Sequence, residues 1–233
     1  MRQIALVLLP GLDGTGELFG PLLAELPDWI HPIVVSYPRD REMGYEELLP
    51  FAATFLPADA PFVILGESFS GPLAVMLAAG SPAGLKGVIL CATFVKKPFR
   101  TLPAWLGALC IGPVFRLWPP LLKLRSLPMR EELSGLLPLA LAAIRSVRPE
   151  VVASRVRALL KVDVRAQLRA TPFPVLYLQA ARDTLIREHN AEEITMIRPD
   201  ASIARIDTRH FLLQLEPKLA AAAIAAFLET LPA

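Results

Sequence analysis

The chain has few of the residues that staple or metallate a protein. Among 233 residues only two are cysteines, Cys91 and Cys110, and only three are histidines. Two such thiols form neither a disulfide framework nor a metal-ligand spacing, so they read as buried thiols and a reducing, cytoplasmic compartment is expected. Charged residues are held to 20% and the net charge to +2, which excludes a charge-driven disordered chain. Internal repeats and low-complexity tracts are missing apart from an alanine-rich final helix, where alanine serves as a strong helix former.

An uninterrupted hydrophobic span is also missing. The longest apolar region, Leu102 to Leu124, contains four prolines and is broken by Arg116 and Lys123, whereas a membrane helix needs about 20 clean apolar residues. The run Ile4 to Leu9 follows Arg2 in the manner of a signal peptide, but it enters Pro10-Gly11-Leu12-Asp13-Gly14-Thr15-Gly16 without a small-residue cleavage site. It reads as a buried first strand. Those glycines follow neither the dinucleotide-binding nor the Walker spacing and no Lys follows them, which argues against a nucleotide site.

What is abundant is apolar surface, 54% of residues, enough for a large core. Charge is unevenly placed: residues 96–170 carry 14 Lys and Arg against 4 Asp and Glu, leaving 10 against 18 elsewhere. Such segregation marks either a solvated arginine-bearing helix face or a surface that meets an anionic substrate, an acidic carrier or an anionic lipid surface. Nucleic acid is not expected, since the basic stretch has no recognition motif and is interleaved with Leu, Pro and Trp.

Short apolar runs bounded by turn residues recur at Ile4–Leu9, Pro32–Tyr37, Phe62–Leu65, Gly87–Cys91, Val175–Leu178 and Ser202–Ile206. They predict buried parallel strands. Between them lie helix-length segments at Glu17–Leu26, Tyr45–Phe55, Gly71–Ala79, Arg187–Ile197 and Pro217–Thr230. The alternation predicts an α/β fold, a doubly wound six-stranded parallel sheet. One interval breaks the rhythm, so residues 1–95 and 171–233 are assigned to the core and 96–170 to an inserted cap. Leu133–Ile144 and Val151–Leu160 have helical spacing there, and Pro149 suits a first helical turn.

The stretch Phe62-Val63-Ile64-Leu65-Gly66-Glu67-Ser68-Phe69-Ser70-Gly71 runs a buried strand into a Gly-x-Ser turn and then a helix. That context holds Ser68 on a strained bend with its hydroxyl at the carboxyl edge of the sheet, and small residues at 66 and 70 let strand and helix approach. The Phe69 N–H at the helix start points where an oxyanion would form. The usual motif has Gly where Ser70 stands, and Ser is small enough to serve.

On these residues the chain resembles the α/β-hydrolase superfamily over nearly its whole length, the divergent cap excepted and without the two leading antiparallel strands of larger members. The resemblance implies a nucleophile, acid and base in the order Ser, Asp, His. Of the three histidines, His31 precedes the second strand and His189 lies in the helix after Asp183, where a surface position is expected. His210 follows the last strand, within reach of Ser68, whose hydroxyl needs such a base to become nucleophilic at neutral pH. Asp183, in Val175 to Ile186, resembles the acid-bearing loop; Asp207 is the alternative acid, and a helix-capping role remains open for Asp183. The Pro10 to Gly16 loop matches the family's oxyanion loop, with Leu12 N–H as donor beside Phe69 N–H and Pro10 where many relatives have His.

The expected activity is hydrolysis of a carboxylic ester or thioester through an acyl-enzyme, with no metal or organic cofactor. Acyl transfer by the same residues, carbon–carbon bond hydrolysis, and a ligand-binding receptor or pseudoenzyme are the rival readings. Phe94, Phe99, Trp105, Leu106, Phe115 and Trp118 supply a water-excluding cap over an apolar acyl group, or simply the core of the cap.

Overall fold

The computed structural model describes residues 3–99 and 135–232. Trp105, Leu106, Cys110, Phe115 and Trp118 lie outside the described residues, as does the start of the first helix expected in the cap.

Six parallel strands form one sheet: β1 (Ile4–Leu9), β2 (Ile30–Val34), β3 (Phe62–Glu67), β4 (Leu85–Cys91), β5 (Val175–Ala180) and β6 (Ser202–Ile206). Their order is β2-β1-β3-β4-β5-β6. The reversal between β1 and β3 puts the loops leaving their carboxyl ends side by side, which is where α/β sheets bind ligands. Helices α1 (Gly20–Leu23), α2 (Tyr45–Ala53), α3 (Gly71–Ala79), α4 (Leu136–Arg145), α5 (Pro149–Leu159), α6 (Arg165–Ala170), α7 (His189–Ile197), α8 (Leu212–Leu215) and α9 (Pro217–Glu229) complete the described chain.

The central strands are continuously apolar because both faces are covered. Val7, Ile64, Leu90 and Tyr177 pack on one side with Leu48 of α2, Leu73 of α3 and Ile194 of α7. Leu8, Leu65, Ile89 and Leu178 pack on the other with Phe19, Leu22, Ile224 and Phe227. Neighbouring residues point to opposite faces, so every second side chain of one run joins the same core.

Two expected elements are shifted. The second strand spans Ile30–Val34 rather than Pro32–Tyr37. It is an edge strand paired only with β1, which tolerates Pro32. The Val35 N–H still donates to the Leu8 carbonyl of β1 at 3.0 Å; beyond it the chain turns to the loop after β1, where the Tyr37 N–H donates to the Gly14 carbonyl at 2.7 Å. The helix expected over Glu17–Leu26 is a 3₁₀ turn, Glu17–Phe19, followed by the single turn α1. Pro21 has no N–H for the Glu17 carbonyl, so the regular ladder cannot start there.

The segment between β4 and β5 leaves and returns at one point. The Val164 N–H donates to the Val95 carbonyl at 2.8 Å and the Lys97 N–H to the Val162 carbonyl at 3.0 Å. Some of its excess positive charge meets acids of the rest of the chain: Arg157 pairs with Glu42 at 2.7 Å and Arg165 with Glu193 at 3.3 Å. Exposed pairs of this kind contribute about 0–1 kcal/mol each, so they orient the segment more than they hold it. Among the described residues no helix is long and apolar enough to cross a membrane.

Candidate active site

Ser68 stands on a bend that only a crowded elbow explains. Its φ is 49°, a left-handed value unfavourable for a residue with a Cβ. The strain is held from both sides. A Cβ on Gly66 would lie 2.5 Å from the Ser70 carbonyl oxygen and 2.9 Å from the Ala74 Cβ, so β3 and α3 can meet only through glycine. Gly71 abuts the Thr93 side chain, and the Thr93 hydroxyl donates to the Ser68 carbonyl.

Three separated stretches converge on this bend. The Ser68 Oγ lies 2.9 Å from His210 Nε2, and His210 Nδ1 lies 2.7 Å from Asp183 Oδ2. A ring nitrogen facing a carboxylate carries the proton, which leaves Nε2 to accept the serine hydroxyl proton. Asp183 is itself fixed, its Oδ1 accepting the Leu185 and Ile186 N–H groups at 2.8 Å each. The acid-bearing and histidine-bearing loops are joined by backbone bonds: Ala181 N–H donates to the Ile206 carbonyl and Arg182 N–H to the Thr208 carbonyl. Asp207, the alternative acid, points away; its side chain is 83% exposed and pairs with Arg182, whereas that of Asp183 is 4% exposed. His31 is exposed on β2. His189 is half-buried rather than on the surface, its Nε2 lying 3.1 Å from the Pro98 carbonyl oxygen.

Burial works to lower the pKa of His210, but the hydrogen bond and charge of Asp183, with the charge of Glu67, outweigh it and raise the value. Glu67 is pushed up to about 7 by burial, against the opposing Gln214 hydrogen bond and with further upward pressure from Asp13.

The loop after β1 lies across from the elbow. Gly14 and Gly16 have φ of 70° and 76°, which turn the chain twice within three residues. No acceptor among the described residues takes the Leu12 N–H. Phe69 is the second residue of the 3₁₀ turn Ser68–Ser70 that leads into α3, where N–H groups lack intrahelical acceptors. Ser68, His210, Leu12 and Phe69 all border one cavity of about 240 Å³, with Phe94, Ile144, Val156 and Phe211 among its apolar walls. Among the described residues Asp13 and Glu67 are the acids on its lining, and no lysine or arginine borders it. No group of three or more His, Cys, Asp or Glu among the described residues is arranged to hold a metal.

A family model described as the alpha/beta hydrolase family matches residues 6–223. The chain belongs to the alpha/beta hydrolase family. Solved structures similar to this alpha/beta hydrolase include a hydrolase from Pseudomonas aeruginosa PA01, 19% identical over 97% of this chain and 90% of that one, with a TM-score of 0.79. An enol-lactonase from Burkholderia xenovorans LB400 is 20% identical over 98% and 92%, TM-score 0.77. The esterase EaEST from Exiguobacterium antarcticum is 14% identical over 98% and 93%, TM-score 0.79. At these identities the likeness is one of fold. No curated protein matches the chain.

Four side chains of the site escape a reading by motif. Glu67 is the lone carboxylate at the end of a buried strand. Ser70 is a hydroxyl where the family has glycine. Tyr37 is buried beneath the loop after β1, its OH 2.7 Å from Ser70 Oγ. Arg155 is 1% exposed and donates to the carbonyls of Leu12 at 3.1 Å, Asp13 at 2.6 Å and Pro38 at 3.0 Å, with its guanidinium 5.5 Å from the Tyr37 ring centre. The available signal for Arg155 is a cation on the Val151, Val152, Leu159 stripe of an amphipathic helix.

Proposed function

We propose that this protein hydrolyses a carboxylic ester or thioester with an uncharged, apolar acyl group, by way of an acyl-enzyme on Ser68. His210 Nε2 takes the Ser68 proton as the oxygen attacks the carbonyl carbon. Asp183 keeps the proton on Nδ1 and stabilises the imidazolium that forms. The Leu12 and Phe69 N–H groups bind the oxyanion of the tetrahedral intermediate. Collapse transfers the imidazolium proton to the leaving oxygen or sulfur, and a water activated by His210 then releases the acid and restores Ser68.

The single observation that carries this reading is the 2.9 Å approach of His210 to Ser68 across 142 positions of chain, at the mouth of the cavity. Preference for an uncharged acyl group is supported by the described lining, which is largely apolar, carries Asp13 and Glu67 and holds no described lysine or arginine. A cavity of about 240 Å³ suits a short to medium acyl group.

The test is a fluorophosphonate probe combined with p-nitrophenyl esters of graded length. Labelling is expected on the Ser68 peptide, to fall sharply in His210→Ala, with ester turnover abolished in Ser68→Ala and greatest for short to medium uncharged chains. Equal labelling without the histidine, or turnover without the serine, overturns the assignment.

A further inference from the structure

The residues that flank the nucleophile in sequence grip the loop that faces it. Ser70, two positions after Ser68 and fully buried, donates its hydroxyl proton to the Pro10 carbonyl. Glu67, one position before, faces the Gly11 N–H, which stabilises its charge, and its Oε2 lies 3.9 Å from the place a Gly11 Cβ would occupy. The Pro10 carbonyl and the Gly11 N–H belong to one peptide unit. That unit is trans, as are all others described, so its carbonyl and N–H point in opposite directions. One peptide plane is thereby held from both ends by the elbow itself.

The grip is reinforced from behind. Because the Ser70 proton is committed to Pro10, the Tyr37 OH at 2.7 Å must be the donor to Ser70 Oγ, and this fixes the hydroxyl rotor. The Gly11 carbonyl accepts the Gly14 N–H at 3.0 Å, and the next two carbonyls, of Leu12 and Asp13, accept from Arg155. The Leu12 N–H is therefore carried on a loop whose successive peptide planes are each pinned.

We propose that Ser70, backed by Tyr37 and paired with Glu67, is a positioning residue that sets the distance of the Leu12 N–H from the Ser68 hydroxyl through the Pro10–Gly11 peptide. The proposal rests on the reading of Leu12 as an oxyanion donor. A hole held rigidly for oxygen binds the larger, weaker-accepting sulfur of a thionoester poorly, so loosening the loop erodes the preference for C=O over C=S. A role confined to stability leaves that preference unchanged.

The experiment compares p-nitrophenyl butyrate with its thiono analogue in wild type, Ser70→Ala, Tyr37→Phe and Ser68→Ala, with thermal melting of each. Ser70→Ala is expected to lose about ten-fold or more in kcat on the oxygen ester, less than the 10²–10³ for outright removal of a donor, with KM within about two-fold. The oxygen-over-sulfur ratio falls with it. Tyr37→Phe shifts both quantities the same way to a smaller extent, and carries the test alone should Ser70→Ala not fold. If Ser70→Ala and Tyr37→Phe keep the wild-type ratio while Ser68→Ala is inactive, the positioning role is overturned and the triad stands. If Ser68→Ala remains active, the functional reading itself is overturned.

Discussion

Arg155 Nη1 reaches across 142 positions to the Asp13 carbonyl, at 2.6 Å, and touches the Leu12 carbonyl at 3.1 Å. A guanidinium buried in α5, between β4 and β5, thus closes over the loop that faces Ser68. Burial pulls its pKa down to about 10, with Asp13 and Tyr37 opposing, so it stays charged near neutrality. Gly14 has no room for a Cβ, which would meet that guanidinium.

Replacing Arg155 with Met is expected to destabilise the protein by about 1–3 kcal/mol, the cost of leaving the buried Asp13 carbonyl without a donor, the Leu12 and Pro38 carbonyls being only partly buried. Arg155→Lys restores a single point donor and should fall between the two. Chemical denaturation checks this; a Met variant as stable as wild type removes Arg155 from the account.

The raised pKa of His210 has a definite sign. In the proposed mechanism its neutral form is the base, so kcat/KM should drop as pH falls through a value above the ordinary imidazole pKa of about 6.5. Asp183→Asn removes the main upward influence and should move the acidic limb downward while lowering the plateau. A pH–rate profile whose acidic limb is the same in both proteins contradicts the Asp183–His210 coupling.

Glu67 carries an opposite lesson for stability. Its folded pKa of about 7 lies above its unfolded value, so the native state binds the proton more tightly, and stability is gained below neutrality and lost as pH rises through about 7. His210, also raised, contributes in the same direction. Glu67→Gln should flatten the fall in melting temperature between pH 5 and 8 to what His210 alone provides, Asp13 and Gln214 being the other groups against that carboxyl. An unchanged slope assigns the fall elsewhere.

Adding a methyl group at the elbow should be costly in proportion to what it meets. Gly71→Ala presses on the Thr93 side chain and is expected to destabilise by about 1–3 kcal/mol, the usual range for overpacking. Gly66→Ala presses on the Ser70 backbone, which cannot yield without moving Ser68. It should abolish fluorophosphonate labelling in whatever folded protein it leaves, and retained labelling would show that the bend tolerates a side chain there.

The central strands were legible because they are covered on both faces, which forces apolar runs such as Ile4–Leu9, whose ends match the observed strand; Ser202–Ile206 also matches its strand, though as a largely exposed edge. Tight packing likewise announces Gly66 and Gly71 beside Ser68. The second strand ends short of Tyr37 because Tyr37, though buried, serves the loop after β1, while Val35 makes the last bond to the sheet. Apolar character reports burial; it does not say against what.

The sequence by itself determined the parallel α/β architecture and the elbow, since both follow from local patterns of side-chain size and polarity. Only the tertiary structure decided which carboxylate meets His210, because Asp183 and Asp207 differ in loop direction rather than in chemistry. It likewise decided that Ser70, Glu67 and Arg155 grip one loop. Such contacts depend on where distant peptide planes come to rest, and no spacing along the chain records an orientation in space.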